Sequence, residues 1–286
     1  MRINGDTKIY GLIGYPVKHT LSPLMHNAAF CALDINAIYV PFEVKPENLR
    51  RNLDCMELVG VCGLNVTVPH KEKVLRHLDD IDREAALIGA VNTIVFKGGR
   101  LKGHNTDGRG FVSALKEDFG MTPKGRSFFI LGAGGASRAI SFSLALRGAA
   151  RIVIMDIFRE KAIKLARELT KKTPCESIAL KQDRRAMREM LLNTDVLINA
   201  TPCGLRHGDP GAIETGLLHG GLCVVDLIYN PSTTKLLREA KKKGARVSNG
   251  IGMLLRQGAG SFRLWTGKNP PPGVMKKALQ KVLSRC

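Results

Sequence analysis

Two ionisable residues, Lys71 and Asp107, stand in short polar motifs that each precede a change of predicted secondary structure. Lys71 ends the run Asn-Val-Thr-Val-Pro-His-Lys at 65–71, and Asp107 lies in Asn-Thr-Asp-Gly at 105–108. An amine and a carboxylate held together can move a proton to and from a hydroxyl group. We therefore expect these two residues to form a proton-transfer pair, in which Asp107 orients Lys71.

A glycine-rich turn, Gly-Ala-Gly-Gly-Ala at 132–136, follows the apolar run at 128–131. Gly132 permits a tight turn, Gly134 lets the backbone approach a pyrophosphate, and a helix starting near Gly135 directs its N–H groups at the phosphates. Ser137 stands in the place of the third glycine of G-x-G-x-x-G. The order strand, turn, helix predicts a dinucleotide site. A nicotinamide cofactor beside a proton-transfer pair is suited to oxidising an alcohol.

Asp156 ends the next apolar strand, about 20 residues beyond the glycine turn, where an acidic side chain hydrogen-bonds the adenosine ribose. A carboxylate at this place repels a 2′-phosphate, so the sequence favours NAD over NADP. The alternative is that Asp156 only caps the following helix. Arg159 and Lys161 are near enough in sequence to bind a phosphate, so NADP use stays open.

Strands and helices alternate along the chain, which predicts an α/β fold of two domains with mostly parallel sheets. The first series has strands near 8–14, 37–42 and 63–68, helices near 24–32, 45–58 and 71–78, and a hairpin over 90–104. The second has strands at 127–131, 151–156, 196–200, 222–227 and 246–248. Residues 1–107 with 253–286 are expected to form a mixed substrate-binding catalytic domain. Residues 108–252 are expected to form a Rossmann-type doubly wound domain.

Composition narrows the function classes. Seven cysteines without a C-x-x-C motif and seven histidines without H-E-x-x-H argue against a disulfide framework or a metal site. No apolar run is long enough to span a bilayer and the first residues lack a signal-like stretch, so we expect a cytoplasmic protein without membrane contact. The net charge of +19 falls largely on solvated helix faces, as at 159–169, and aromatic residues are few, so no nucleic-acid partner is expected. A positive field would attract an anionic small molecule.

Eight motifs, in order along the chain, resemble those of the shikimate dehydrogenase family, including its quinate/shikimate dehydrogenase members. They lie at 19–27, 63–71, 89–93, 105–108, 132–136, 199–202, 229–231 and 250–257. The resemblance extends from about residue 9 to residue 266, and the order of so many motifs makes it specific.

This resemblance implies reversible hydride transfer between a nicotinamide cofactor and the C3 hydroxyl of shikimate, giving 3-dehydroshikimate on the chorismate route to aromatic amino acids. It implies a catalytic pair of Lys71 and Asp107. The implied substrate-binding residues are Thr20, Ser22, Thr67, Lys71, Asn92, Asp107, Tyr229 and Gln257. The implied cofactor-binding residues are Gly132, Ala133, Gly134, Gly135, Ala136, Asp156, Thr201 and Gly250. The hydroxyls of Thr20 and Ser22 suit a substrate carboxylate; a plain helix N-cap is the alternative for Ser22. A monomer and a homodimer are both compatible with the sequence.

Two departures from the family pattern bear on specificity. Thr20 stands where most shikimate enzymes carry serine, which leaves acceptance of quinate open. The sequence Asp-Ile-Phe at 156–158 replaces the Asn-Arg-Thr of NADP-using members, and the loss of that arginine also favours NAD. The alternatives are therefore an NAD-preferring quinate/shikimate dehydrogenase and, supported by the net charge alone, a non-catalytic nucleotide-sensing or nucleic-acid-binding protein on the same scaffold.

Overall fold

The computed structural model describes residues 3–206 and 208–283. Their strands are β1 (Lys8–Gly14), β2 (Ala37–Glu43), β3 (Val61–Val66), β4 (Asp80–Ile81), β5 (Thr93–Lys97), β6 (Arg100–His104), β7 (Ser127–Leu131), β8 (Arg151–Met155), β9 (Glu176–Ala179), β10 (Val196–Asn199), β11 (Cys223–Asp226) and β12 (Arg246–Asn249). Their α-helices are α1 (Ser22–Ala32), α2 (Leu49–Leu58), α3 (Arg83–Ile88), α4 (Asp107–Phe119), α5 (Gly135–Ala145), α6 (Arg159–Lys172), α7 (Arg184–Leu192), α8 (Lys235–Lys242), α9 (Ile251–Thr266) and α10 (Pro272–Leu283). Short 3₁₀ helices lie at Pro46–Asn48, Lys73–His77 and Thr215–Leu217.

The chain divides into two compact units. The first unit comprises Met1–Gly110 and Leu254–Cys286, and the second comprises Phe111–Met253. Both crossings therefore fall within helices, α4 and α9, whereas the sequence placed them at 107/108 and 252/253. Each unit contains one six-stranded sheet, so the predicted α/β fold class is confirmed.

The first unit is built on a mixed sheet with the strand order β2-β1-β3-β5-β6-β4. β1 pairs parallel with β2 and β3, while β5 pairs antiparallel with both β3 and β6. Alternating apolar residues of β1, β3 and β5 form a core with α2 and α3, and α10 packs against α1. This arrangement brings the carboxyl end of β3 beside the amino end of β5 and the carboxyl end of β6, where the polar motifs lie.

Two predicted helix starts in the first unit differ from the structure. α1 begins at Ser22 itself, with Leu21 as the N-cap residue and no side-chain cap, so Ser22 is not an N-cap; the adjacent proline does lie in the first turn. The helix expected over 71–78 is only the 3₁₀ helix Lys73–His77. The backbone oxygen of Lys71 accepts a hydrogen bond from the N–H of Val91 instead of closing a helical turn.

The second unit is a parallel sheet with the strand order β12-β11-β10-β7-β8-β9. Numbered within the unit, this is the Rossmann order 3-2-1-4-5-6, which reverses between β7 and β10. β7, β8 and β10 are almost fully buried, which explains their continuous apolar sequences. β9 was not predicted, because this short edge strand is only partly buried and carries no apolar run.

Other sequence expectations concern membranes and cysteines. No helix among the described residues is long and apolar enough to cross a membrane. Six cysteines, Cys31, Cys55, Cys62, Cys175, Cys203 and Cys223, are free thiols. Cys286 lies outside the described residues.

Candidate active site

Lys71 and Asp107 are in direct contact in the first unit. Lys71 Nζ lies 2.6 Å from Asp107 Oδ2, and the two side chains are only 14% and 5% exposed. Lys71 lies shortly after β3, whereas Asp107 begins α4 with its backbone N–H held by Asn105 Oδ1 at 3.1 Å. A short, largely buried contact of this kind is suited to transferring a proton between the amine and a bound hydroxyl group.

Asn92 holds the second oxygen of the Asp107 carboxylate. Its Nδ2 donates to Asp107 Oδ1 at 2.9 Å and to Gln257 Oε1 at 3.2 Å. Its Oδ1 accepts the backbone N–H of Thr106 at 2.8 Å, which fixes the orientation of the amide. Lys71, Asn92, Asp107 and Gln257 are thus one connected group, although Lys71 follows β3, Asn92 precedes β5, and the other two lie in α4 and α9.

The predicted hydroxyl-bearing residues are placed differently from one another. Ser22 is buried, and its backbone N–H donates to Thr20 Oγ1 at 3.3 Å. Thr67 lies just beyond β3, and its backbone N–H donates to the carbonyl oxygen of Ile13. Both Thr20 and Thr67 are partly exposed. Tyr229 belongs to the second unit, and its role in substrate binding stays a prediction.

Sequence reasoning assigned no role to several buried polar residues that hold this group: Tyr39, Asn65, Thr93, Asn105, Thr106 and Ser261. Asn65, Thr93, Asn105 and Thr106 lie inside the motifs that carry the family resemblance, which was the available signal. Ser261 follows Gln257 by one helical turn, so its position on the same face of α9 was also readable. A hydroxyl in the apolar strand β2 gave no comparable signal for Tyr39.

The glycine turn of the second unit has the geometry of a phosphate site. Gly132 has a φ of +99°, and a Cβ there would lie 2.9 Å from the Ala200 carbonyl oxygen, so only glycine fits. A Cβ on Gly134 would meet nothing within 4 Å, which leaves that side of the backbone open to a ligand. Gly135 and Ala136 open α5, where backbone N–H groups have no partner within the helix. Ser137 is fully buried, consistent with a small packing residue.

The remaining predicted cofactor residues follow the carboxyl ends of neighbouring strands. Asp156 follows β8, Thr201 follows β10 and Gly250 follows β12. Thr201 Oγ1 donates to Asn199 Oδ1 at 2.7 Å, and a Cβ on Gly250 would lie 2.0 Å from the Leu227 carbonyl oxygen. Ligands of open α/β sheets bind at this edge, near the point where the strand order reverses. The residues therefore fit a dinucleotide.

Comparisons with known proteins agree with this geometry. The family model of the shikimate dehydrogenase substrate binding domain matches residues 12–94, and that of the shikimate 5′-dehydrogenase C-terminal domain matches residues 250–280. Shikimate dehydrogenase (NADP(+)) of Methanothermobacter thermautotrophicus is 47% identical over 285 residues, 99% of each chain. Its counterpart from Methanopyrus kandleri is 46% identical over 279 residues, 97% of this chain and 96% of the relative. A crystal structure of a shikimate dehydrogenase in complex with NADP+ has a TM-score of 0.91 at 43% identity, covering 99% and 98% of the two chains.

The predicted preference for NAD is wrong. Both relatives are named for NADP(+), and the similar solved structure is a complex with NADP+. The contacts of Asp156 give a physical reason: its Oδ2 accepts the N–H of Ala133 at 2.7 Å and its Oδ1 accepts the N–H of Phe158 at 2.8 Å. The carboxylate therefore holds the glycine turn and the start of α6. Arg159 and Lys161 are exposed at the beginning of α6, where they add positive charge.

The similarity extends over nearly the whole chain and over both units. The resemblance noted in the sequence is thereby confirmed. The chain belongs to the shikimate dehydrogenase family of two-domain α/β oxidoreductases, which act on a CH–OH group.

Proposed function

We infer that this protein is a shikimate dehydrogenase, which catalyses the reversible NADP-dependent oxidation of shikimate to 3-dehydroshikimate in the biosynthesis of aromatic amino acids. The single observation that carries the chemistry is the buried contact of 2.6 Å between Lys71 Nζ and Asp107 Oδ2. Near-complete similarity to shikimate dehydrogenases named for NADP(+) supports the substrate and the cofactor.

In the oxidative direction, a base must take the proton of the C3 hydroxyl as hydride leaves the same carbon. Lys71 takes this proton at Nζ, and Asp107 holds the amine in place through Oδ2. Bound NADP supplies the hydride acceptor. In the reductive direction, the ammonium form of Lys71 returns the proton to the developing alkoxide, and its charge stabilises the oxygen during transfer.

The other residues of the first unit bind and orient the anionic substrate in this proposal. Thr20 and Ser22 donate hydroxyl hydrogen bonds to the carboxylate, while Thr67, Asn92 and Gln257 offer polar atoms to the ring hydroxyls. Tyr229 is kept as a substrate-binding residue on the strength of the family motif alone. Such contacts place the reacting carbon and thereby lower the entropic cost of the reaction.

The cofactor is assigned to the second unit. The N–H groups at the start of α5, reached through the turn at 132–136, bind the pyrophosphate. Asp156 keeps this turn in place, Thr201 and Gly250 line the same edge of the sheet, and the exposed cations Arg159 and Lys161 favour a 2′-phosphate.

A steady-state assay tests this function by following the absorbance of the reduced nicotinamide. Shikimate and quinate are each paired with NADP and with NAD. We expect the highest kcat/KM for shikimate with NADP. Quinate tests the effect of Thr20. Compared with serine, the threonine side chain has one more methyl group, which leaves less room for the additional hydroxyl group of quinate. Absence of shikimate-dependent NADPH formation by the folded protein would contradict the proposed function.

A further inference from the structure

A continuous series of side-chain hydrogen bonds connects Tyr39 of β2 with the catalytic pair. The Tyr39 hydroxyl donates to Asn65 Oδ1 at 2.8 Å. Asn65 Nδ2 lies 2.9 Å from Ser261 Oγ, which lies 2.7 Å from Thr93 Oγ1. We call Tyr39, Asn65, Ser261, Thr93 and Asn92 the buried chain.

The buried chain ends on the Asp107 carboxylate. Thr93 Oγ1 donates to Asn92 Oδ1 at 3.0 Å, and Asn92 Nδ2 donates to Asp107 Oδ1 at 2.9 Å. Lys71 donates to the other oxygen of the same carboxylate. All of these residues belong to the first unit, and each member of the buried chain is less than a tenth exposed.

Counting protons assigns a direction to the central bonds. The amide of Asn65 also donates to the backbone oxygen of Asn92, at 3.1 Å, so its Nδ2 faces Ser261 as a donor. Ser261 therefore accepts from Asn65, and its only proton is directed to Thr93, which is nearer than its other acceptors. The proton of Thr93 then points to Asn92 Oδ1. Successive bonds aligned in one direction polarise one another and resist reorientation.

We propose that Tyr39 and Ser261 are positioning residues that, through this hydrogen-bonded chain, hold Asn92 and hence the Asp107–Lys71 pair in the geometry required for proton transfer. Neither residue is a predicted substrate or cofactor contact. The proposal rests on the proposed function, because its readout is the oxidation of shikimate. Since small displacements of reacting groups reduce turnover steeply, loss of either hydroxyl should lower kcat more than it alters the KM for NADP.

The first test replaces Tyr39 by Phe, which removes one hydroxyl and retains the ring. Tyr10→Phe is the matched control, because both rings pack on Trp265, with centroid distances of 5.2 Å for Tyr10 and 6.0 Å for Tyr39, and Tyr10 lies outside the buried chain. We expect Tyr39→Phe to reduce kcat by about tenfold. The pH profile of kcat should also shift, because it reports the proton-transfer groups. Tyr10→Phe should change neither.

The second test is Ser261→Ala, with Ser141→Ala as its control. Ser141 is also a fully buried helical serine, but its Oγ has no hydrogen-bond partner among the described residues. Ser261→Ala should again lower kcat and shift its pH profile, while the KM for NADP stays within about twofold of the parent value. In the double variant with Tyr39→Phe, the two losses should be less than multiplicative, because both residues act through one connected series of bonds.

The outcomes distinguish failure of the positioning role from failure of the proposed function. If the unmodified protein fails to oxidise shikimate, the proposed function fails. If the unmodified protein is active, and a folded Tyr39→Phe or Ser261→Ala variant keeps the parent kcat and pH profile, the positioning role is overturned. A rise in substrate KM at constant kcat would overturn it as well, since that result assigns the chain to ground-state binding. Should one variant fail to fold, the other decides.

Discussion

Asp156 accepts a hydrogen bond from the backbone N–H of Ala133, with 2.7 Å between Oδ2 and N. The same carboxylate accepts the N–H of Phe158 at 2.8 Å. One side chain therefore ties the end of β8 to the turn that follows β7, where the pyrophosphate is proposed to bind. A charged acceptor makes each bond stronger than a neutral pair, with a contribution of about 1.5 to 3 kcal/mol.

Replacing Asp156 by Ala should weaken the binding of NADP and of NAD by about tenfold each, because the glycine turn loses the hydrogen bond that holds it in place. Binding is measured by titrating the variant with NADPH and with NADH and following nicotinamide fluorescence. Asp183→Ala is the control, since Asp183 accepts the N–H of Ala186 at the start of α7 without touching the turn. A variant that binds NADPH more tightly than the parent, with unchanged NADH binding, would show that the carboxylate acts by repelling the 2′-phosphate.

Alanine substitutions at two glycines of the same turn should affect folding and cofactor binding separately. Gly132→Ala is expected to lower Tm, because its φ of +99° and the Ala200 oxygen both oppose a side chain. Gly134→Ala should leave Tm nearly unchanged, since a Cβ at this position meets nothing within 4 Å. It should weaken the binding of NADPH, because the added methyl group blocks the approach of the pyrophosphate. Thermal unfolding with and without NADPH measures both effects. If NADPH raises the Tm of Gly134→Ala as much as it raises that of the parent protein, the phosphates do not bind at this turn.

Lys71→Met should reduce kcat by about three orders of magnitude, because general acid–base catalysis contributes that much, with a smaller change in the KM for shikimate. Lys102→Met is a suitable control: Lys102 also pairs with an aspartate of the first unit, Asp80, at 2.7 Å, but both side chains are 49% exposed. Steady-state kinetics with NADP compare the two variants. Turnover of Lys71→Met at the level of Lys102→Met would remove Lys71 from the proton transfer.

The fold was largely predictable because its strongest signals are local. Continuous apolar strands such as β7 and β10, separated by amphipathic helices, indicate a parallel sheet covered on both faces. The turn at 132–136 gave the position of the phosphate site for the same reason, since glycine spacing reflects backbone geometry. β9 lacked both signals and was missed.

The fine structure of the site was less predictable, because it depends on contacts between distant segments. The sequence indicated that Lys71 and Asp107 act together, but it could not show that Asn92 holds the carboxylate or that Ser261 of α9 contacts Thr93 of β5. The error at Asp156 has the same origin. Its charge was evident in the sequence, whereas the two backbone N–H groups that engage it were not.

His26 makes the first unit sensitive to acid. The side chain is fully buried, neither ring nitrogen has a hydrogen-bond partner among the described residues, and the ring stacks on Tyr39 with centroids 4.4 Å apart. Burial lowers the pKa of His26 to about 3. In the unfolded chain a histidine titrates at about 6.5. Between these values the unfolded state binds the additional proton, so the free energy of unfolding falls as the pH is lowered from about 6.5 towards 3.

Replacing His26 by Phe should remove this part of the acid sensitivity. At full protonation of the unfolded chain, one such group contributes a slope of about 1.4 kcal/mol per pH unit. Urea unfolding at several pH values between neutrality and the acid transition measures the slope. Phe262→Leu serves as the packing control, because Phe262 stacks near the same ring, with centroids 6.3 Å apart, but does not titrate. Phe262→Leu should lower the free energy of unfolding at every pH and keep the pH dependence of the parent protein. An unchanged slope in His26→Phe would mean that other groups cause the loss of stability in acid.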